Sequence, residues 1–110
     1  MRPLEVPTVS ARTVPNDAVL LDVREVDEWV AGHVEGAVHI PMNEVPTALP
    51  RLDRDDEIVV VCKVGSRSAH VAAWLRQQGF RASNLDGGLI AWASAGRPLV
   101  SESGAPAQVV

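Results

Sequence analysis

The chain has 110 residues, 46% of them hydrophobic, and a formal net charge of -4. Those values fit one globular domain with a modest core. They argue against nucleic acid as a general ligand, because the acidic clusters Glu25 to Glu28 and Asp53 to Glu57 are matched by no long basic stripe. No apolar stretch reaches the length of a membrane span, and the opening residues lack the apolar block of a secretory signal, so a cytoplasmic location away from membranes is expected. The single cysteine, Cys62, can form neither an internal disulfide nor a Cys-x-x-Cys site.

In chain order, short apolar runs alternate with longer amphipathic segments, the rhythm of an α/β domain. A first strand is expected near residues 6–9. "AVLLDV" (18–23) and "EIVVVC" (57–62) carry apolar residues in continuous rather than alternating order, as strands buried on both faces of a parallel sheet do. "AVHI" (37–40) and "ASNL" (82–85) are weaker strand candidates, which brings the expected total to five. Between them, "EVDEWVAG" reads as a short helix closed by Gly32, and "NEVPTALPRL" as a helix broken by its prolines. "SRSAHVAAWLRQQG" is the longest helix, stopped at Gly79, and "GGLIAWASAG" is a last one, ended by Gly96. The expected organisation is one domain over 1–100, with helices on both faces of a mostly parallel sheet. Residues 101–110, rich in small side chains, form a mobile tail.

On this layout Cys62 stands at the carboxyl end of a central strand, where open α/β sheets bind ligands. The chain then turns through Lys63, Val64, Gly65 and Ser66 into a helix beginning around Arg67 and Ser68. A helix start offers unpaired N–H groups, and a glycine lets successive amides converge on one point. With the charges of Lys63 and Arg67 nearby, the Cys62 thiol is expected to ionise more readily than a free one. The bland alternative is a small buried residue that finishes the strand.

"CKVGSRS" resembles the active-site loop of the rhodanese-like sulfurtransferases. "LLDVREVDEWVAGHVEGAVHIP" (20–41) is similar to the family's Asp-x-Arg strand and Gly-His-x-x-Gly-Ala turn, and "NLDGGLIAWASAGRPL" (84–99) to its closing Gly-Gly and Trp segment. The match runs from about Ala18 to Leu99. The resemblance implies a five-stranded parallel sheet with flanking helices. It also implies a catalytic Cys62 that takes a sulfane sulfur from a donor such as thiosulfate and passes it to cyanide or a thiol. Val64 departs from the family in which a small polar residue is common there. Phosphatases with a cysteine nucleophile place one more residue between Cys and Arg, so phosphate or arsenate chemistry is the less favoured alternative. A persulfide carrier or binding module is another.

A persulfide route needs donors aimed at sulfur and no general base, because a preformed thiolate suffices and sulfite departs without a proton. The loop 63–68 supplies the amides, Arg67 a planar fork for the departing oxyanion, and Lys63 a flexible charge at the mouth. Asp22 and Arg24, from the neighbouring strand, either line the same pocket or form a salt bridge that holds the loop. His33, between glycines, is expected as a turn residue bonded to backbone. His39 and His70 lack partners at metal-ligand spacing, so no metal and no cofactor is expected. Trp29, Trp74 and Trp92 are expected in the apolar core. Expected partners are a small anionic sulfur donor, a thiol or cyanide acceptor, and a cysteine desulfurase or sulfur-acceptor protein. The chain is expected to act as a monomer.

Overall fold

A computed structural model describes residues 5–110; the first four residues of the expected domain lie outside them. Five strands form one parallel sheet in the order β1-β5-β4-β2-β3: β1 Thr8–Ser10, β2 Val19–Asp22, β3 Val38–His39, β4 Glu57–Val61 and β5 Arg81–Asp86. The helices are α1 Val26–Ala31, α2 Ser66–Gln77 and α3 Gly88–Ser94, with a 3₁₀ helix over Met42–Arg51.

The continuous apolar runs lie at the centre for a plain reason. Along β4, Ile58 and Val60, with Cys62 after them, face α2 (Val71, Ala72, Leu75), Phe80 and Val45 of the 3₁₀ helix. Val59 and Val61 face Leu89 and Trp92 of α3, with Ala11 and Val14 beside them. A strand covered on both faces has no position left for polar alternation. Each fully buried Leu or Val removed from water stabilises the fold by about 1.5–3 kcal/mol, so these two layers hold β4 in place.

At the sheet edges, pairing rather than composition sets the limits of the strands. β1 forms at Thr8–Ser10, later than expected, where the chain runs in register with Asn84, Leu85 and Asp86 of β5. β5 lies between two partners and extends over six residues, beyond the four expected. Pro46 and Pro50 remove the donors an α-helical ladder would need, and Met42–Arg51 takes the 3₁₀ form throughout.

Residues 101–110 form no helix or strand, yet they do not stand free as expected. The Glu102 and Gln108 amides donate to Val30 and Ala31 carbonyls at the end of α1, and Val109 packs on the second core layer. Gly32 makes this possible, since a Cβ there would strike the Gln108 backbone. Among the described residues, no helix is long and apolar enough to cross a membrane.

Candidate active site

β4 ends at Val61, and Cys62 opens the turn that leads into α2, fully buried beneath it. Gly65 takes φ +105°, a left-handed conformation that glycine adopts freely and that turns its N–H back toward the strand end. That N–H donates to Cys62 Sγ at 3.1 Å, and the Ser68 N–H donates to the same sulfur at 3.4 Å. Ser68 Oγ lies 3.2 Å from Sγ. Among the described residues, no backbone acceptor receives the Ser66 and Arg67 amides, as the open first turn of a helix requires.

Burial pushes the Cys62 thiol up. The Ser68 hydroxyl and the amides of Ser68, Gly65 and Val64 outweigh burial, and the pKa falls below its ordinary value of 9.0. The direction matches the sequence reading, but the cause differs. That reading gave part of the effect to the charges of Lys63 and Arg67, whereas the loop's own hydrogen-bond donors carry it.

Arg67 is engaged elsewhere. Its two terminal nitrogens each donate at 2.9 Å to a separate oxygen of Glu28, in the first turn of α1. The same carboxylate accepts the Glu25 N–H at 3.0 Å, which closes the start of α1. Glu28 is held down at about 2, chiefly by the Arg67 hydrogen bond against the upward push of burial. Arg67 is raised, first by Glu28, with the Cys62 charge a smaller contributor.

Of the two readings of Asp22 and Arg24, the structure shows the brace. Both are fully buried. Arg24 Nε and Nη2 donate to the Asp22 carboxylate at 3.0 and 2.8 Å, and Nη2 and Nη1 reach the Gly32 and Glu28 carbonyls at 2.7 and 3.2 Å. The guanidinium thereby ties the end of β2 to the last turn of α1, and its donors are spent within the fold.

The Gly-Gly segment clamps the loop from below. The Leu89 and Ile90 amides at the start of α3 donate to the Cys62 and Lys63 carbonyls at 2.9 and 3.1 Å. A Cβ on Gly88 would stand 2.5 Å from Lys63 O and 2.6 Å from Cys62 O, so only glycine lets α3 approach.

His33 bonds to backbone as expected, through Nδ1 to Trp29 O at 2.9 Å and its own N–H to Val100 O at 2.8 Å. His39 Nε2 donates to Arg24 O at 2.8 Å, and His70 Nδ1 is 3.0 Å from Ser66 O. Trp92 is buried in one core layer, and Trp74 packs against the other. Trp29 departs from its expected place. It lies between His33 and His39, with ring centroids 3.6 and 4.6 Å away and planes 7° apart in both cases, because α1 crosses close to β3.

Two site residues escaped the sequence reading. Glu28 was legible only as the second half of a capping pattern with Glu25. Asn84, an inward-facing polar residue in β5, donates through Nδ2 to Gly65 O at 3.1 Å and lies 2.5 Å from Ser68 Oγ through Oδ1.

A parallel α/β domain with a single ionisable cysteine in an amide-lined loop at its carboxyl edge now has known counterparts. The family model described as "Rhodanese-like domain" matches residues 8–95, and the chain belongs to that family. It is 42% identical over 79 residues to the Bacillus subtilis (strain 168) protein YtwF, covering 72% of this chain and 77% of that one. A protein of Allochromatium vinosum named "Sulfurtransferase" is 38% identical over 89 residues, or 80% of this chain and 83% of the other. The crystal structure of a rhodanese-related protein from Thermoplasma volcanium superposes with a TM-score of 0.81 at 30% identity, covering 86% of this chain and 97% of that one.

Proposed function

We propose that the protein is a sulfurtransferase that moves a sulfane sulfur from a donor of the thiosulfate class to a thiophilic acceptor through a persulfide on Cys62. The observation that carries this reading is the set of donors on one buried sulfur: Gly65 N–H, Ser68 N–H and the Ser68 hydroxyl. Family membership and the sulfurtransferase relative support the same chemistry.

In the first step the Cys62 thiolate attacks the outer sulfur of the donor. A sulfur-sulfur bond forms, the donor's own sulfur-sulfur bond breaks, and sulfite leaves with the electron pair. The persulfide anion then extends toward the Ser66 and Arg67 amides. In the second step cyanide or a thiol attacks that outer sulfur and Cys62 departs as the thiolate, so kinetics are ping-pong. Arg67, whose fork matches a sulfonate, and Lys63 would receive the donor's oxygens, with Glu28 as the competitor that the sulfonate must displace. Release of thiocyanate from thiosulfate and cyanide tests the reading. Wild type should turn over and Cys62→Ser should not; hydrolysis of an aryl phosphate without thiocyanate would favour the phosphatase alternative.

One observation favours a second reading, in which the sulfur arrives on a protein such as a cysteine desulfurase. Val26 (60% exposed), Val64 (57%) and Ile90 (42%) open α1, the loop and α3 at the same sheet edge. That apolar rim suits a protein surface more than a free dianion. Arg67, already held by Glu28, is not needed when no sulfonate is delivered.

A further inference from the structure

Ser68 has two claims on one proton. Its Oγ lies 3.2 Å from Cys62 Sγ and 2.5 Å from Asn84 Oδ1, and a hydroxyl can donate to only one of them. Asn84, 6% exposed, cannot relieve the conflict by turning its amide over. That rotation would bring Oδ1 against Gly65 O, now 3.1 Å from Nδ2, and set two acceptors face to face. The destination of the proton is therefore governed by the charge on sulfur.

We propose that Asn84 is a positioning residue that holds the Ser68 hydroxyl proton while Cys62 is uncharged and releases it to the sulfur when the thiolate forms. In the thiol form the Cys62 S–H donates to Ser68 Oγ, and the Ser68 proton rests on Asn84 Oδ1. When the thiol proton leaves to solvent, the hydroxyl rotates onto Sγ and Asn84 Oδ1 is left without a partner in a buried site, which disfavours the thiolate. In the persulfide the inner sulfur is neutral and the charge has moved one atom outward, so the hydroxyl returns to Asn84. That last state rests on the sulfur-transfer reading; the thiol and thiolate states do not. The consequence is a balanced nucleophile. Ser68 lowers the thiol's pKa, and Asn84 limits that lowering, which keeps the thiolate reactive because nucleophilicity falls with pKa.

The charged groups around Cys62 are Lys63 and Arg67 from its own loop and helix, Glu28 of α1 on Arg67, the Asp22–Arg24 pair of β2, and Asp86 at the end of β5. The variants alter none of these residues. Thiolate absorbance and alkylation rate are followed against pH in wild type, Asn84→Leu, Ser68→Ala and the double variant. Asn84→Leu should move the inflection to lower pH, and adding it to Ser68→Ala should move nothing. Gly65 O keeps the Ala69 N–H at 3.2 Å in either case. An upward shift, no shift, or an equal shift with and without the Ser68 hydroxyl would overturn the proposal and leave Asn84 as a brace for the loop. Where Asn84→Leu fails to fold, Asn84→Ala is read by the same comparison. No sulfur donor enters the assay, so its outcome is independent of the transfer reaction.

Discussion

Arg67 grips Glu28 through both terminal nitrogens, 2.9 Å to each carboxylate oxygen, and so fastens the first turn of α2 to the first turn of α1. One guanidinium thereby serves the fold and stands beside the loop that holds Cys62. Two substitutions separate those roles.

Glu28→Gln weakens the pair and leaves Arg67 charged. In the fold the Glu28 carboxyl lies at about 2, below its ordinary 4.5, so its stabilisation is fully present above 4.5 and is lost as pH falls through about 2. Urea unfolding at pH 7 should show the variant less stable by about 1 kcal/mol, a partly exposed bidentate pair being worth little more. The gap should narrow as pH falls from 4.5 toward 2, and a constant gap would contradict the assignment. In turnover, freeing the fork should lower KM for thiosulfate.

Arg67→Lys keeps the charge and removes the planar fork. Transfer from thiosulfate should fall by about 10²-fold or more, while the pH inflection of Cys62 alkylation should move little, because the donors on the sulfur come from Ser68, Gly65 and Val64. Unchanged turnover with a sharply lower unfolding midpoint would make Arg67 a brace alone.

Gly88→Ala tests the clamp beneath the loop. The added methyl would stand 2.5 Å from Lys63 O and 2.6 Å from Cys62 O, and the backbone that carries the nucleophile must shift. Overpacking of this kind costs about 1–3 kcal/mol. The thermal midpoint should drop and the Cys62 inflection should rise as the amides lose their aim. A variant with wild-type stability and inflection would show that α3 does not position the loop.

The strands with two buried faces were legible because burial on both sides writes itself as an unbroken apolar run, as in Val19 to Leu21 and Ile58 to Cys62. The loop was legible because a cysteine, a glycine and a helix start have local causes. What could not be read was whatever depends on elements that meet only after folding. The Arg67–Glu28 pair joins residues 39 positions apart, and Asn84 reaches Gly65 from a different strand. Trp29 reads as core by composition, yet its two stacking partners come from just beyond α1 and from β3. The contacts of the tail were hidden for a related reason. Its few apolar residues carry no periodicity, and backbone bonds to Val30 and Ala31 leave no mark in side-chain identity.

In the proposed reaction Cys62 carries the sulfur in transit. Intact-protein mass spectrometry after incubation with thiosulfate tests it most directly, with a persulfide-loaded cysteine desulfurase as a second donor for the protein-delivered route. Wild type should gain the mass of one sulfur atom from at least one donor, lose it on addition of cyanide with release of thiocyanate, and show neither change as Cys62→Ser. A wild-type protein whose mass stays constant with both donors, or a Cys62→Ser variant that still gains the sulfur, would contradict the account.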